Sequence, residues 1–368
     1  MSFYIENKKF NYKRKISNNF LIKSIPHDYE IEIINSSNLL QKFKGKKNVF
    51  LIDESIKKLY FKKLPLDAMT IRATEKNKNI KKAIEIINFF ERKNITKLNN
   101  IIVVGGGILQ DLGAFACSMY KRGIPWTYVP TTMLGMTDSC VGGKTGLNFT
   151  NKKNMLALFS APRKVLINLK FLDTLPEREF ISGLGESLRL HITGGKKFIN
   201  IFENNIDLLL KRDKKALKKI IQNSLIVKKS VVEIDEFEKN YRKSMNYGHS
   251  IGHALESLTN FSFPHGMAVS LGMMIENNIA SMCYDLDYKF SERVNKIIRK
   301  LIDKRAIKDL NKVKEENFVD VLKSDKKVLG NILKLSVPGN YGKMYFKDFH
   351  LHNKNNNFIF KAINSLYV

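Results

Sequence analysis

The apolar run Ile101-Ile102-Val103-Val104 passes directly into Gly105-Gly106-Gly107. A short buried strand that breaks on glycines and reopens as a helix is the βα unit of a doubly wound parallel sheet. The flanking sequence keeps that rhythm. Tyr29–Ile34 alternates like a strand, Asn48–Asp53 reads as a buried strand, and residues 80–91 carry helical periodicity. Glycines in such a turn let backbone N–H groups approach a pyrophosphate, with the positive end of the next helix behind them. The pattern Gly105-x-Gly107-x-x-Gln110 lacks the third glycine of the dinucleotide fingerprint, so by itself the turn fits a structural role equally well.

After Phe171 the texture changes to amphipathic helices, expected over residues 177–192, 197–210, 214–232, 266–279 and 288–304. A chain of 368 residues exceeds what one core ordinarily covers, about 250 to 300 residues. The expectation is therefore an α/β domain over residues 1–175, preceded by a basic arm in the first twenty residues, and an all-helical domain over 176–368. The apolar stretch 358–367 reads as a terminal helix.

Three of the seven histidines fall within seventeen residues, in Asn246-Tyr247-Gly248-His249-Ser250-Ile251-Gly252-His253 and Pro264-His265-Gly266. Apolar Ile251, Ala254, Leu255 and Leu258 recur at helical spacing, so His249 and His253 share one helix face. His265 opens the next helix and can fold back toward them. Imidazoles from adjacent helices need one more ligand to hold a divalent ion in an open site, and Glu186, set in the apolar, glycine-rich Gly183-Leu184-Gly185-Glu186-Ser187-Leu188, is a natural candidate. Any one of these histidines alone would read as a satisfied core or surface residue.

Composition narrows the function classes. The net charge of +28 would attract polyanions, but its lysines are scattered over nearly every amphipathic segment and not interleaved with aromatics. They read as solvated helix faces, with no specific nucleic-acid partner, and their field favours a phosphorylated small molecule. No apolar run approaches the roughly 18 residues of a membrane span, and the first twenty residues lack a secretory signal's apolar stretch, so cytoplasmic residence and no membrane partner are expected. Cys117, Cys140 and Cys283 are too few and too far apart for a disulfide framework and read as small core residues.

The densest chemistry lies in Pro130-Thr131-Thr132, in Asp138-Ser139-Cys140-Val141-Gly142-Gly143-Lys144-Thr145-Gly146, and in Lys152-Lys153-Asn154-Met155. Here the chain resembles the 3-dehydroquinate synthases and, more broadly, the sugar phosphate cyclases. The resemblance also takes in Gly105-Gly106-Gly107 with Asp111-Leu112, Arg122-Gly123-Ile124, Leu172-Asp173-Thr174-Leu175-Pro176, Gly183 with Glu186, Lys228, Asp235-Glu236-x-Glu238, Arg242, Asn246-x-Gly248-His249-x-x-Gly252-His253, His265-Gly266 and Asp325-Lys326-Lys327. These stand in family order from about residue 50 to 345.

The resemblance implies a Rossmann-like N-terminal domain, a helical C-terminal domain and an active site in the cleft between them. It implies Glu186, His249 and His265 as ligands of Zn²⁺ or Co²⁺. NAD would be contacted by Asp53, Glu75, Lys78, Gly106, Gly107, Asp111, Thr131, Thr132, Asp138, Lys144, Lys153 and residues 171–174, including Phe171 and Thr174. Lys144, Lys228, Arg242, Asn246, His253 and Asp138 would serve catalysis, and Asn154 with the Lys326-Lys327 pair would hold substrate carboxylate and phosphate. Arg122 resembles an arginine that reaches in from a neighbouring subunit, which implies a homodimer. The implied reaction converts 3-deoxy-arabino-heptulosonate 7-phosphate to 3-dehydroquinate and phosphate in the shikimate pathway. Arg189 departs from the lysine that the family usually places three residues after the metal-binding glutamate and is taken as its catalytic counterpart. Gln110, Met267 and the Met136-Thr137 pair depart as well. Arginine is a bulkier planar fork, so a cyclase acting on another substrate, such as sedoheptulose 7-phosphate, is the alternative. A metal-dependent polyol dehydrogenase is the rival from another reaction class.

Overall fold

The computed structural model describes residues 1–13, 17–35, 42–43, 47–63, 67–150, 152–259, 262–284, 288–303, 306, 310, 315–323, 328–339 and 342–364. The chain divides into two compact units, one of residues 16–176 and one of residues 1–15 together with 177–368. The start of the chain differs from the expected arm of the first domain. It forms two short antiparallel strands, β1 (Ser2–Ile5) and β2 (Lys8–Asn11), that belong to the second unit. Phe3 and Ile5 are buried on either side of exposed Tyr4, and Phe10 is buried between exposed Lys9 and Asn11, so the polar composition hides a strand alternation.

The unit of residues 16–176 is a seven-stranded sheet. Its strands are β3 (Asn19–Ile22), β4 (Tyr29–Ile34), β5 (Asn48–Asp53), β6 (Ala68–Ile71), β7 (Asn100–Gly105), β8 (Trp126–Pro130) and β11 (Lys164–Asn168). They lie in the order β3-β4-β11-β8-β7-β5-β6, all parallel except the edge strand β3. Central β7 and β8 are buried along almost their whole length, as strands covered on both faces must be. The connecting helices are α1 (Glu54–Tyr60), α2 (Ile80–Arg92) and α3 (Gly107–Met119). Asn79 caps α2 by accepting from the Lys82 N–H, and Ala83, Ile86, Phe89 and Phe90 form its buried stripe. A hairpin of β9 (Lys144–Phe149) and β10 (Lys152–Phe159) completes the unit. The sheet's order reverses at β5 and β7, whose carboxyl ends are register neighbours through Ile52 and Val104. That is the place where open α/β sheets hold ligands.

The second unit is helical but not all-helical. Its helices include α4 (Glu177–Thr193), α5 (Lys196–Glu203), α6 (Ile206–Leu210), α7 (Lys214–Val232), α8 (His249–Leu258), α9 (His265–Cys283) and α10 (Tyr288–Arg299), with later helices at Glu315–Lys323 and Asn353–Asn364. The single helix expected over 197–210 is two, because Asn204 and Asn205 end one and start the next. A five-stranded sheet of order β12-β13-β14-β1-β2 covers one side, where β12 is Val328–Leu329, β13 is Ile332–Pro338 and β14 is Met344–His350. The alternation in β13 and β14 is short and was masked by the dominant helical texture.

Helices α4, α8 and α9 meet almost backbone to backbone, and glycine is what allows it. A Cβ on Gly185 would stand 2.5 Å from the Gly266 carbonyl oxygen. One on Gly272 would collide with the carbonyl of Gly248 and stand 2.8 Å from the Gly252 nitrogen. Gly248 itself has φ 76°, a left-handed conformation open to glycine at little cost. Buried Leu184, Leu188, Leu255, Val269 and Ile275 fill the remaining space, each worth about 1.5 to 3 kcal/mol of burial.

Two outcomes test this packing. Gly272→Ala should destabilise the chain by about 1 to 3 kcal/mol, read as a lower denaturant midpoint at unchanged slope; an unaltered midpoint would mean the helices can separate freely. His191 is fully buried against Phe198 and Phe202, and burial pushes its imidazole down to about 4. The unfolded chain then takes up a proton near pH 6.5 that the folded chain refuses until about 4, so acid erodes stability across that window. His191→Leu should flatten the fall in stability between pH 7 and 5, and an equally steep fall would assign it to other groups.

Candidate functional site

Glu186 lies in the middle of α4, 1% exposed. His249 is the first residue of α8 and His265 the first of α9. One ligand atom from each lies within 4.8 Å of the others. Glu186 Oε1 stands 3.7 Å from His249 Nε2 and 3.5 Å from His265 Nε2, yet it makes no hydrogen bond. A buried carboxylate oxygen without a donor is costly. The outer contacts explain which atoms are presented. His249 Nδ1 lies 3.2 Å from the Tyr247 carbonyl, which can only accept, so the proton sits on Nδ1 and Nε2 offers a lone pair. His265 Nδ1 lies 3.2 Å from Glu256 Oε2, with the same result. Three lone pairs thus converge without a proton among them, and a divalent cation fits that donor set.

His253 shares the face, its ring 5.5 Å from that of His249 and 5.7 Å from that of His265. A second grouping of His253, Glu256 and His265 also has metal-compatible spacing. It shares His265, and Glu256 approaches that ring on the Nδ1 side, the position of a carboxylate that orients a metal-bound histidine. The geometry therefore favours the set with Glu186. Glu256 was missed in the sequence, although its position seven residues after His249 already put it on the same face. Glu276 was missed too. Its buried carboxylate accepts from the Gly248 N–H at 2.8 Å and holds the start of α8 from α9.

Arg189 does not stand as a free counterpart of a substrate-binding lysine. It is 2% exposed, and its Nε and Nη2 each lie 2.8 Å from Glu186 Oε2 while Nη1 donates to the Met245 carbonyl. Nearby, Asp235 gathers the loop before α8. Its carboxylate accepts from the backbone of Lys239, Asn240 and Arg242 at 2.8 to 2.9 Å. Burial pushes that carboxyl up, but the three amides outweigh it and hold the group below its usual range. Arg242 is buried and donates to the Glu236 carbonyl, Asn246 donates to Glu238 Oε1 at 2.7 Å, and Lys228 is buried on α7. Lys326 and Lys327 lie outside the described residues.

In the sheet unit, Asp53 ends β5 and caps α1 by accepting from the Ser55 N–H. It lies beside the glycine turn, where a Cβ on Gly105 would stand 3.4 Å from its own Cβ. Gly106 is the N-cap of α3 and offers no side-chain cap, and a Cβ on Gly107 would meet no atom within 4 Å. Bare helix-terminal amides with open space before them suit an anionic phosphate group. Lys78 ties the flank together, paired with Asp111 at 2.6 Å and donating to Asn154 Oδ1 at 2.7 Å. Burial holds the Asp111 carboxyl above its usual range against the pull of Lys78. Glu75 accepts from Asn148 Nδ2 at 2.8 Å, Thr132 Oγ1 accepts from the Gly135 N–H, and Thr131 is buried. Phe171 packs on Tyr60, whose hydroxyl is 2.6 Å from Thr174 Oγ1. Asp138 lies in the turn Gly135–Ser139, which Gln110 pins by donating from Nε2 to the Ser139 carbonyl. Lys144 is exposed at the start of β9 and Lys153 half-buried in β10. Arg122 is exposed in a turn with φ 60°. No described helix is long and apolar enough to cross a membrane.

Comparison with known proteins follows the same division. Residues 68–182 match the model of the 3-dehydroquinate synthase N-terminal region and residues 183–328 that of its C-terminal region. The chain is 34% identical over 311 residues to a 3-dehydroquinate synthase of Alkaliphilus metalliredigens, covering 81% of this chain and 85% of that one. It is 36% identical over 271 residues to that of Dictyoglomus thermophilum, covering 73% and 75%. A bifunctional 3-dehydroquinate synthase/phosphatase of Fusobacterium nucleatum is 33% identical over 80% of this chain, which spans only 46% of that longer protein. Among solved structures, 2-deoxy-scyllo-inosose synthase complexed with carbaglucose-6-phosphate, NAD+ and Co2+ shares the fold at TM-score 0.80 and 20% identity, over 94% of this chain and 99% of that one. The 2-epi-5-epi-valiolone synthase of Streptomyces hygroscopicus with NAD+ and Zn2+ does so at 0.79 and 21%, over 94% and 98%. A protein described as a probable glycerol dehydrogenase from Sinorhizobium meliloti follows at 0.60 and 14%, over 91% and 95%. With both halves of the family model matched in order and relatives above 30% identity along most of its length, this chain belongs to the 3-dehydroquinate synthase family.

Proposed function

We propose that the chain is an NAD- and divalent-metal-dependent cyclase that converts 3-deoxy-arabino-heptulosonate 7-phosphate to 3-dehydroquinate and phosphate. The observation that carries the reading is the unbonded, buried Glu186 Oε1 facing two imidazole nitrogens. Zn²⁺ or Co²⁺ there would acidify a substrate hydroxyl, and NAD would accept a hydride and return it within one turnover. The substrate assignment is supported by the Alkaliphilus and Dictyoglomus relatives above 30% identity, which are named 3-dehydroquinate synthase.

The chain's own residues do the positioning. Arg242, Lys228 and Lys144 supply fixed positive charge for a carboxylate and a phosphate, and Asn246 and Asn154 supply directional amides. His253, on the same helix face as His249, serves proton transfer and is not a fourth ligand, because a fourth protein ligand would close the site. Asp53, Gly106, Gly107, Asp111, Thr131 and Thr132 form the nucleotide cradle. Elimination needs few dedicated bases, since the departing phosphate can take the proton itself. Arg122, exposed on a left-handed turn, completes the site of a second copy, so the working form is a homodimer.

Purified protein supplied with NAD⁺ and Co²⁺ should release phosphate and form 3-dehydroquinate without net absorbance at 340 nm. Steady NADH accumulation would point instead to a polyol dehydrogenase, and turnover of sedoheptulose 7-phosphate alone to another cyclase. Chelation should abolish activity and added Zn²⁺ or Co²⁺ restore it, whereas full activity in metal-free protein would remove the metal from the mechanism. Arg122→Gly suits the backbone at that turn, so it should keep thermal stability while lowering kcat about 100-fold or more; a fully active variant, or an active monomer, would defeat the shared site.

A further inference from the structure

We infer that Arg189 is a positioning residue that fixes the metal ligand Glu186 in one-oxygen coordination and ties it to the segment that presents His249. The inference rests on the metal reading of Glu186, His249 and His265. The two oxygens of Glu186 have different surroundings. Oε2 accepts from both Nε and Nη2 of Arg189 at 2.8 Å, while Oε1 accepts from no donor and faces the two Nε2 atoms. A carboxylate whose second oxygen is held by two N–H groups cannot turn to chelate an ion with both oxygens without giving up that clamp. The third arm of the guanidinium, Nη1, donates to the carbonyl of Met245, in the turn Tyr241–Asn246 that leads through Gly248 into α8. One rigid fork therefore joins α4 to the run-in of the helix that begins with His249.

A planar, multi-donor fork joins both acceptors and fixes the distance between them. An ammonium is a single point of charge on a flexible stem; it can donate to two acceptors, as Lys78 does to Asp111 and Asn154, but it imposes no fixed fork geometry on them. Burial to 2% exposure completes the case, because the side chain stands within the protein on α4, between these two acceptors. Arginine at this position thus preorganises a ligand.

The test titrates Co²⁺ into metal-free protein, following the d–d absorption bands and the dissociation constant by competition with a chromophoric chelator. NAD⁺ affinity serves as the control for folding. In Arg189→Gln the dissociation constant should weaken about 10- to 100-fold and the band shape should change, as expected when a ligand loses its outer partner. Arg189→Lys, which keeps the charge, should fall between, and it serves as the measure if the glutamine variant does not fold. Co²⁺ affinity within about two-fold of wild type together with an identical spectrum in both variants would overturn the inference. Failure of the wild-type chain to take up Co²⁺ would instead overturn the metal reading beneath it.

Discussion

The near contact of three helix backbones is the constraint on which the site depends. Glu186, His249 and His265 come from α4, α8 and α9, and their ligand atoms can approach within 4.8 Å only because the helices touch at glycines. Gly185, next to Glu186, lies against Gly266, next to His265, and Gly272 lies under Gly248, next to His249. Each glycine contact thus sits one residue from a candidate ligand. Side chains of ordinary size at these crossings would hold the axes at the 8 to 10 Å usual for packed helices and draw the donors apart.

That closeness creates an electrostatic demand that the surrounding residues partly meet. A carboxylate at 1% exposure needs compensation, and Arg189 provides it at one oxygen only. The histidines are turned by acceptors, the Tyr247 carbonyl and Glu256, so that neither directs a proton inward. Glu276 and the Asp235 turn fix the backbone that leads into His249. In the sheet unit, the glycine turn after β7 leaves helix-terminal amides bare beside Asp53, and the Lys78, Asp111 and Asn154 network stiffens its border.

Much of this was legible in the residues. The sheet unit follows from continuous apolar runs broken by glycine, and the helices carrying the ligands follow from a 3.6-residue period. The histidine spacing pointed to shared faces. What escaped were short elements and contacts between distant positions. The first twenty residues read as a basic arm because polar and basic residues dominate, although Phe3 and Ile5 already alternate with exposed Tyr4. The five-stranded sheet escaped because its strands are short and because β1 joins β14 only through a pairing more than three hundred positions apart, Ile5 with Met344.

Arg189 shows the boundary most clearly. The residue type and its place three residues after Glu186 are matters of sequence, and helical geometry alone puts the two side chains on one face. Sequence by itself determined the alternation of elements, the candidate ligands and the family, because periodicity and motif order are properties of the chain. Only the tertiary structure decided which oxygen of Glu186 is clamped, which imidazole nitrogens point inward and where the first strands pair. Those outcomes depend on how close separate helices and strands come, and that distance is set by packing among residues the chain keeps far apart.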